Sequence, residues 1–267
     1  MTSKSQDQFP SWMTKITKGT KGIEMDYSEF VVTPDSQYSC LMPWGLRQTL
    51  AAFRRECASV QTIIDATANI GCDAVYFCRI YPGVKVTAVE INNKTAVALQ
   101  RNTSAGSPGR YFSRTGLLPD LLRIAGGSLP SINVVIGSCL DYLPTAGQVD
   151  LVYFDPPWCE TPAADSAAAH SAAAAESAAA AQARPVRLAK LVLGDQAIGT
   201  VVGETLKRNT TLVVVKSPLD YNLSELSNDA TKALYGDSLS AVPVTIRSYN
   251  INKPSGETAY RLDFVRA

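Results

Sequence analysis

The stretch Val149-Asp150-Leu151-Val152-Tyr153-Phe154-Asp155-Pro156-Pro157-Trp158 joins an apolar run to an acidic residue, two prolines and an indole. The run from Leu151 to Phe154 is β-branched and aromatic, which predicts a buried strand. Two prolines end that strand and stiffen the loop that holds Asp155 and Trp158. Ligands of open α/β sheets bind at the carboxyl ends of the strands. The loop therefore offers an acceptor for an amino group and a flat ring for stacking on a base; a proline-rich turn with a buried tryptophan is the structural alternative.

A second acidic residue ends an apolar strand upstream. Thr62-Ile63-Ile64-Asp65 runs into the turn Ala66-Thr67-Ala68-Asn69-Ile70-Gly71-Cys72-Asp73, and a helical pattern follows over 74–80. Small residues allow a ligand to approach the backbone closely, and the N-terminus of the following helix favours negative groups. The turn has one glycine where the pattern G-x-G-x-x-G has three, so the sequence disfavours a pyrophosphate cofactor.

Two more strand ends complete the pattern. Val84 to Val89 is predicted as a strand that ends in Glu90, which is placed to accept hydrogen bonds from ribose hydroxyls. Asn133 to Ile136 is predicted as another strand, and it runs into Gly137-Ser138-Cys139. In this order, the strand ends resemble those of class I S-adenosylmethionine-dependent amino-methyltransferases.

That resemblance implies an α/β fold: a Rossmann-like class I methyltransferase sheet with a closing C-terminal β-hairpin and a small N-terminal accessory region. Val244-Thr245-Ile246 and Arg261 to Val265 flank the turn Lys253-Pro254-Ser255-Gly256, as expected for the hairpin. The implied cofactor is S-adenosyl-L-methionine. The residues expected to bind it are Asp65, Ala66, Thr67, Gly71, Glu90, Ser138 and Cys139.

A narrower resemblance begins near the amino end. Lys21-Gly22-Ile23-Glu24-Met25-Asp26 leads to Val32-Thr33-Pro34-Asp35, which is similar to the stretch before the catalytic domain of trimethylguanosine synthases. These enzymes methylate the N2 of the RNA cap guanine. Pro156-Pro157-Trp158 resembles their Pro-Pro-Trp motif, and Val213 to Pro218 resembles their late strand with Lys-x-Pro.

The narrower resemblance implies that Trp158 stacks on N7-methylguanine, a cationic base that an indole face attracts. It implies capped RNA of the small nuclear or nucleolar type as partner, and the nucleus as location, with the cytoplasm as the alternative. The residues expected at the reacting amine are Asp155, Pro156 and Pro157. Those expected to bind the substrate are Trp158 and, for the cap phosphates, Lys18, Lys21 and Lys216.

Three positions depart from the cap enzymes. Asp155 stands where serine is common there, and Asp-Pro-Pro-Trp is also the form found in adenine-N6 methyltransferases. Ser138 follows Gly137 where an aspartate is usual, and Cys159 to Pro162 replaces glycines and an aromatic residue. Three functions therefore stay open: cap guanine-N2 methylation, adenine-N6 or other nucleobase amino-methylation on internal RNA or DNA, and catalytically silent binding of RNA or protein.

A chain of 267 residues suits one domain with extensions. We expect a flexible tail over 1–20, the accessory region over 21–60 with a helix from Leu46 to Cys57, and a methyltransferase domain over 61–267. The net charge of +1 requires any basic surface for nucleic acid to be local. Residues 163–183 are mostly alanine and are expected to form a low-complexity insertion.

Metal and membrane sites are not expected. The six cysteines form no C-x-x-C motif and the chain has a single histidine, His170, so the sequence offers no zinc pattern. Several cysteines lie in apolar runs and are expected to be free thiols in a reducing compartment. No apolar stretch reaches the length of a membrane span, which favours a soluble intracellular protein.

Deleting residues 163–183 and closing the gap with a short Gly/Ser bridge should leave the melting temperature nearly unchanged. Alanine favours helix, but this segment has too little bulky apolar surface to dock on the core. Thermal melting of the deletion variant beside the full chain checks this. A large drop would mean that the alanine tract packs as a helix on the domain.

Overall fold

The structure is a computed structural model that describes residues 46–81, 83–103, 131–159, 190–237, 242–253 and 255–267. The tail over 1–20, most of the accessory region, Lys18, Lys21 and the alanine-rich insertion lie outside the described residues. The described ranges contain both helices and strands. In chain order they are α1 Leu46–Glu56, β1 Thr62–Asp65, α2 Cys72–Ile80, β2 Lys85–Glu90, α3 Asn93–Thr103, β3 Ser131–Ile136, α4 Cys139–Tyr142, β4 Leu151–Phe154, β5 Trp158–Cys159, β6 Lys190–Leu193, β7 Gln196–Ala197, α5 Ile198–Arg208, β8 Val213–Ser217, α6 Leu223–Tyr235, β9 Thr245–Asn252 and β10 Thr258–Arg266.

Seven strands form the main sheet in the order β3-β2-β1-β4-β8-β10-β9. The strands from β3 to β8 in this order pair in parallel. β10 runs antiparallel to β8, and β9 pairs antiparallel with β10 to close the edge as a hairpin. This topology confirms the predicted Rossmann-like class I methyltransferase sheet with its closing C-terminal β-hairpin.

The side chains of β4 fill both faces of the sheet, because successive residues of a strand point to opposite sides. Leu151 and Tyr153 join one apolar cluster, whereas Val152 and Phe154 join the other, and all four are fully buried. α1, α2 and α3 lie on the side of Tyr153, and α5 and α6 lie on the side of Phe154. Burial on both faces explains why this strand reads as a continuous apolar run.

α1 packs into the core of the domain. Phe53 makes edge-to-face contacts with Phe77 of α2 and Phe264 of β10, at ring-centroid distances of 5.6 and 5.2 Å. Gln48 both donates to the backbone oxygen and accepts from the backbone nitrogen of Asn252 in β9. The helix assigned to the end of the accessory region therefore buries its apolar face against the sheet that follows it.

One predicted helix start is wrong. The sequence from Asp195 to Lys207 by itself predicts a helix, with Asp195 near its start as the cap, but α5 begins at Ile198, with Ala197 at its N-cap and no capping side chain. Asp195 lies in the turn between β6 and β7, where Leu193 pairs with Gln196 and Gly194 has a φ of +61°. These residues therefore form the turn of a hairpin and not the first turn of a helix. Gly194 allows this turn, because glycine tolerates the left-handed backbone that the turn requires.

The cysteines follow the prediction only in part. Cys57, Cys78 and Cys139 are free thiols. Cys72 is disulfide-bonded, so the expectation of free thiols is wrong there.

Gly203→Ala should destabilise the protein by about 1–3 kcal/mol, because α5 and α6 approach closely at this glycine. A Cβ on Gly203 would collide with the carbonyl oxygen of Ala230 and lie 2.7 Å from the Cβ of Ala233. Gly147→Ala is the control, since a Cβ there meets nothing within 4 Å. Denaturant unfolding of both variants measures the difference; equal stabilities would contradict the close packing.

Candidate functional site

A cavity of about 720 Å³ lies at the carboxyl ends of β1, β2, β3, β4 and β8. Most of the residues that the sequence assigned to a site line its wall. These are Ala66, Thr67, Glu90, Ser138, Cys139, Asp155, Pro156, Pro157, Trp158 and Lys216. The volume falls within the range of about 300–1,000 Å³ that is usual for small-molecule sites.

Hydrogen bonds tie the turn after β1 to the loop after β4. The backbone N–H of Ala66 donates to the carbonyl of Tyr153 at 2.9 Å. The backbone N–H of Asp155 donates to the hydroxyl of Thr67 at 2.7 Å. Both loops are therefore fixed against each other, and this places Asp155 beside the small-residue turn.

The carboxylate of Glu90 joins the turn after β1 to the turn after β2. One carboxylate oxygen accepts from the backbone N–H of Asn69 at 2.9 Å, and the other accepts from that of Asn92 at 2.7 Å. Burial raises the pKa of Glu90, and the two N–H groups partly oppose that rise. The carboxylate is held at the cavity wall, and its remaining lone pairs can accept hydroxyl hydrogens.

Ser138 and Cys139 stand at the start of α4. The Ser138 hydroxyl accepts from the backbone N–H of Leu140 at 3.1 Å, which is an N-cap bond. Cys139 is 7% exposed, and burial raises the pKa of its thiol to about 11, so the thiol is neutral near pH 7. Ser138 thus shapes the start of a short helix, and Cys139 adds a small neutral surface to the wall.

Asp155 and Lys216 form a buried ion pair. The Nζ of Lys216 lies 2.8 Å from Oδ2 of Asp155, with side-chain exposures of 3% and 2%. Burial alone would lower the pKa of Lys216, but the surrounding negative groups, Asp155 foremost and then Asp73 and Tyr260, together outweigh burial and raise the pKa. Oδ1 of Asp155 is buried and has no hydrogen-bond partner among the described residues. The structure thus pairs Lys216 with Asp155, whereas the sequence led us to expect that Lys216 would bind the cap phosphates.

Trp158 stands at the open side of the cavity. It is 41% exposed and belongs to β5, which pairs antiparallel with β6 at Leu191. Its ring centroid lies 6.0 Å from the Nζ of Lys216. The pairing of β5 with β6 and the stiff Pro156-Pro157 loop therefore fix the backbone that carries the indole. This restricts the position of the exposed part of the ring.

Two predicted cofactor residues do not line the wall. Asp65 is fully buried behind it, with no hydrogen-bond partner for either carboxylate oxygen among the described residues. Burial, and then the charge of Asp73, raise the pKa of Asp65 well above its usual value. Gly71 has a φ of +92°, and a Cβ there would lie 2.6 Å from Leu99, so this glycine lets α2 pack against α3.

The cavity wall also includes residues that sequence reasoning missed. They are Asn69, Ile91, Leu140, Val192, Leu193, Lys253 and Tyr260. Ile91 is 69% exposed directly after Glu90, and an apolar residue after a strand-end acid was the available signal. Tyr260 and Val192 gave no local signal, because strand pairing across long sequence separations brings them to the cavity.

The described residues fit S-adenosylmethionine. Glu90 offers acceptors for ribose hydroxyls, and the apolar side chains of Ile91 and Leu140 offer walls for a purine. A donor set of one held carboxylate with flanking apolar side chains suits a nucleoside.

Comparisons with known proteins gave structural likenesses alone. No family model and no curated protein matches the chain. An O-methyltransferase of Bacillus cereus, solved with SAH, is 11% identical over 98% of this chain and 93% of its own, at a TM-score of 0.42. The O-methyltransferase TomG of Streptomyces achromogenes, solved with SAM, is 16% identical over 97% and 92%, at 0.43. A precorrin-6y C5,15-methyltransferase of Geobacter metallireducens is 10% identical over 89% and 92%, at 0.42. These TM-scores lie below 0.5, so the fold assignment rests on the strand order and pairing described above.

Two further features of the described residues bear on site type. In the described ranges, no group of three or more His, Cys, Asp or Glu side chains is arranged to hold a metal ion. No helix in those ranges combines the length and apolar character needed to cross a membrane.

Asp65→Asn should stabilise the protein more at pH 8 than at pH 4. Because the folded-state pKa of Asp65 is raised, its carboxyl disfavours folding progressively as pH rises above the unfolded value of about 3.9. The asparagine removes that cost. Melting temperatures at the two pH values measure the difference, and an equal shift at both would contradict the buried, unpaired carboxyl.

Asp150→Asn is the matched control with the opposite sign. Burial opposes the shift, but backbone N–H groups of Gln61 and Thr62, each 2.8 Å from Oδ2, lower the pKa of Asp150. Its carboxylate therefore stabilises the fold above the unfolded pKa and loses that effect as pH falls. We expect Asp150→Asn to lower the melting temperature more at pH 8 than at pH 4.

Proposed function

We propose that the protein is an S-adenosylmethionine-dependent methyltransferase of an exocyclic amino group on a nucleobase, with the N2 of the 7-methylguanosine cap as its acceptor. One observation carries the proposal: Asp155, whose buried Oδ1 has no hydrogen-bond partner among the described residues, and the exposed Trp158 both line the cavity that Glu90, Ser138 and Cys139 also line. An amine acceptor and a stacking surface thus lie next to a nucleoside-binding wall.

When bound, S-adenosylmethionine supplies an electrophilic methyl group. The protein must hold the acceptor amine, a poor nucleophile because its lone pair is delocalised into the purine ring. Oδ1 of Asp155 would accept one N–H of that amine and draw the nitrogen toward tetrahedral geometry. The Pro156-Pro157 loop would keep this oxygen and Trp158 in a constant relation, which contributes orientation.

Base recognition is assigned to Trp158. A purine stacked on its exposed ring would lie at the mouth of the cavity, with its amino edge toward Asp155. A cationic N7-methylguanine gains an electrostatic attraction to the indole face that a neutral purine lacks. Lys18 and Lys21 remain proposals for the cap phosphates; they lie outside the described residues.

Adenine-N6 methylation is the second candidate, favoured by a specific observation. Lys216 already places an ammonium group 6.0 Å from the Trp158 ring centroid. A second cation on the same indole would compete for the same ring electrons, whereas a neutral adenine would not. Asp155 in front of Pro156-Pro157-Trp158 also matches the adenine-N6 form.

A methylation assay separates the candidates. Purified protein is incubated with labelled S-adenosylmethionine and with m7G-cap analogue, uncapped RNA or an adenine-containing oligonucleotide, and the methylated base is identified. Label on guanine N2 supports cap methylation, and label on adenine N6 supports the second candidate. Glu90→Ala is the control, and loss of its hydrogen bonds should weaken cofactor binding by roughly 1.5–3 kcal/mol. Cofactor binding without transfer to any substrate would support a silent binding protein.

Trp158→Ala should weaken binding of m7G-cap analogue more than tenfold, since cation–π stacking in a desolvated site contributes about 2 kcal/mol. Binding of unmethylated GTP should be weak and little changed. Titration of both ligands, with a melting curve for each protein, measures the effect. Trp158→Phe keeps a stacking ring and is the matched control.

Equal losses for m7G-cap analogue and GTP would count against cap recognition by Trp158. Under the adenine-N6 candidate, an adenine-containing oligonucleotide binds the wild type and loses affinity in Trp158→Ala. A lower melting temperature without any preference between ligands would assign the indole a structural role alone.

A further inference from the structure

The ammonium group of Lys216 is enclosed by protein. Its Nζ lies 2.8 Å from Oδ2 of Asp155, and the side chain is 3% exposed. The ring centroids of Tyr260 and Trp158 lie 5.1 and 6.0 Å from Nζ. The cation is therefore held between a carboxylate and two aromatic rings, away from the surface where a phosphate of RNA would meet it.

Strand register produces this pair. Phe154 of β4 pairs in parallel with Val215 of β8. The next residue after Phe154 is Asp155, which follows the end of β4, and the next after Val215 is Lys216, near the end of β8, so the two lie side by side. The ion pair is thus built into the centre of the sheet at the edge where the cavity opens.

The pair leaves one oxygen of Asp155 available. Oδ2 accepts from Lys216, and the backbone N–H of the same residue is held by the Thr67 hydroxyl. Oδ1 has no partner among the described residues, although it is buried. A buried acceptor without a hydrogen bond is unfavourable, so an N–H donor that reaches Oδ1 would gain a strong, charge-assisted hydrogen bond.

Other ionisable groups surround the ion pair of Asp155 and Lys216. Asp65 at the end of β1, Asp73 in α2, Tyr153 in β4 and Tyr260 in β10 all face the pair. The Tyr153 hydroxyl donates to Asp73 at 2.9 Å. Within the described residues of this group, Lys216 supplies the positive charge against three carboxyl groups. Without it, the buried Asp155 would have no counter-charge within this group, which is unfavourable.

We propose that Lys216 is a positioning residue whose ammonium supplies the counter-charge of the buried Asp155 carboxylate and fixes its orientation, so that Oδ1 accepts an N–H of the acceptor amine. The inference rests on the proposed function and assigns Lys216 a task other than phosphate binding. Without the bond from Lys216 to Oδ2, nothing in the pair would hold Oδ1 toward the amine. An asparagine in place of Asp155 accepts through its amide oxygen without charge, and so needs no cation.

Three variants test the proposal: Lys216→Met, Asp155→Asn and the double variant. For Lys216→Met, kcat at pH 7 should fall by about 100-fold, the scale of loss that a misplaced reacting group can cause. The KM for S-adenosylmethionine should stay within about twofold, because the ground-state cofactor contacts are unchanged.

The double variant is the decisive comparison. If the ammonium serves the carboxylate alone, Asp155→Asn makes Lys216 dispensable. The double variant should then recover at least about tenfold of the kcat lost in Lys216→Met at pH 7. A purely structural lysine would leave the double variant no faster than Lys216→Met, and that result would overturn the proposal. So would a Lys216→Met enzyme with the wild-type kcat.

Melting temperatures separate failure of this inference from failure of the proposed function, since they need no substrate. Each single variant leaves one buried group of the pair without its partner charge and should melt below the double variant, in which both charges of the pair are removed. If the wild type methylates no nucleobase, the proposed function fails while this order still tests the pair. A double variant that melts at or below both single variants would overturn the pairing. Should Lys216→Met fail to fold, a double variant that folds and melts above Asp155→Asn supports the pairing, and one that melts below it overturns the pairing.

Discussion

The parallel pairing of β2, β1, β4 and β8 is the constraint on which the rest of the site depends. Parallel strands bring their carboxyl ends to one edge of a sheet. Glu90, Thr67, Asp155 and Lys216 each lie at or near the end of one of these strands, and they meet at that edge although long stretches of chain separate them. The antiparallel β10 then adds Tyr260 from the opposite direction. The direction of the strands therefore determines where the cavity lies, and the side chains at the strand ends form its wall.

Charge is arranged unevenly around this edge. Asp65, Asp73 and Asp155 lie buried close together, and of these Asp155 has the Lys216 ammonium as its ion-pair partner. The raised pKa of Asp65 shows that the fold tolerates an unfavourable carboxyl directly behind the cavity wall. Such groups persist where function requires them, at a cost in stability. The ion pair in turn leaves an acceptor oxygen at the wall without adding net charge.

Local patterns predicted the parallel core well. The bounds of β1 and β4 agree with the sequence at both ends, because each is a short apolar run closed by an acid. The helix of 74–80 was placed within two residues of α2. The small sheet of β5, β6 and β7 was missed, and α5 was started too early, because the pairing of Leu193 with Gln196 overrides the helical pattern at Asp195. Two-residue strands carry no periodicity to detect.

Short stretches of sequence are enough to specify the order of strands and helices, the acids at the strand ends and the stiff loop before Trp158, since each is written in a few consecutive residues. How those groups are used depends on the folded chain. Asp155 and Lys216 are 61 residues apart, and only the register of β4 with β8 makes them partners. Folding likewise buries Asp65 behind the cavity wall and brings Tyr260 to that wall. Periodicity encodes which face a residue occupies, whereas the partner across the sheet depends on strand order, which no local stretch contains.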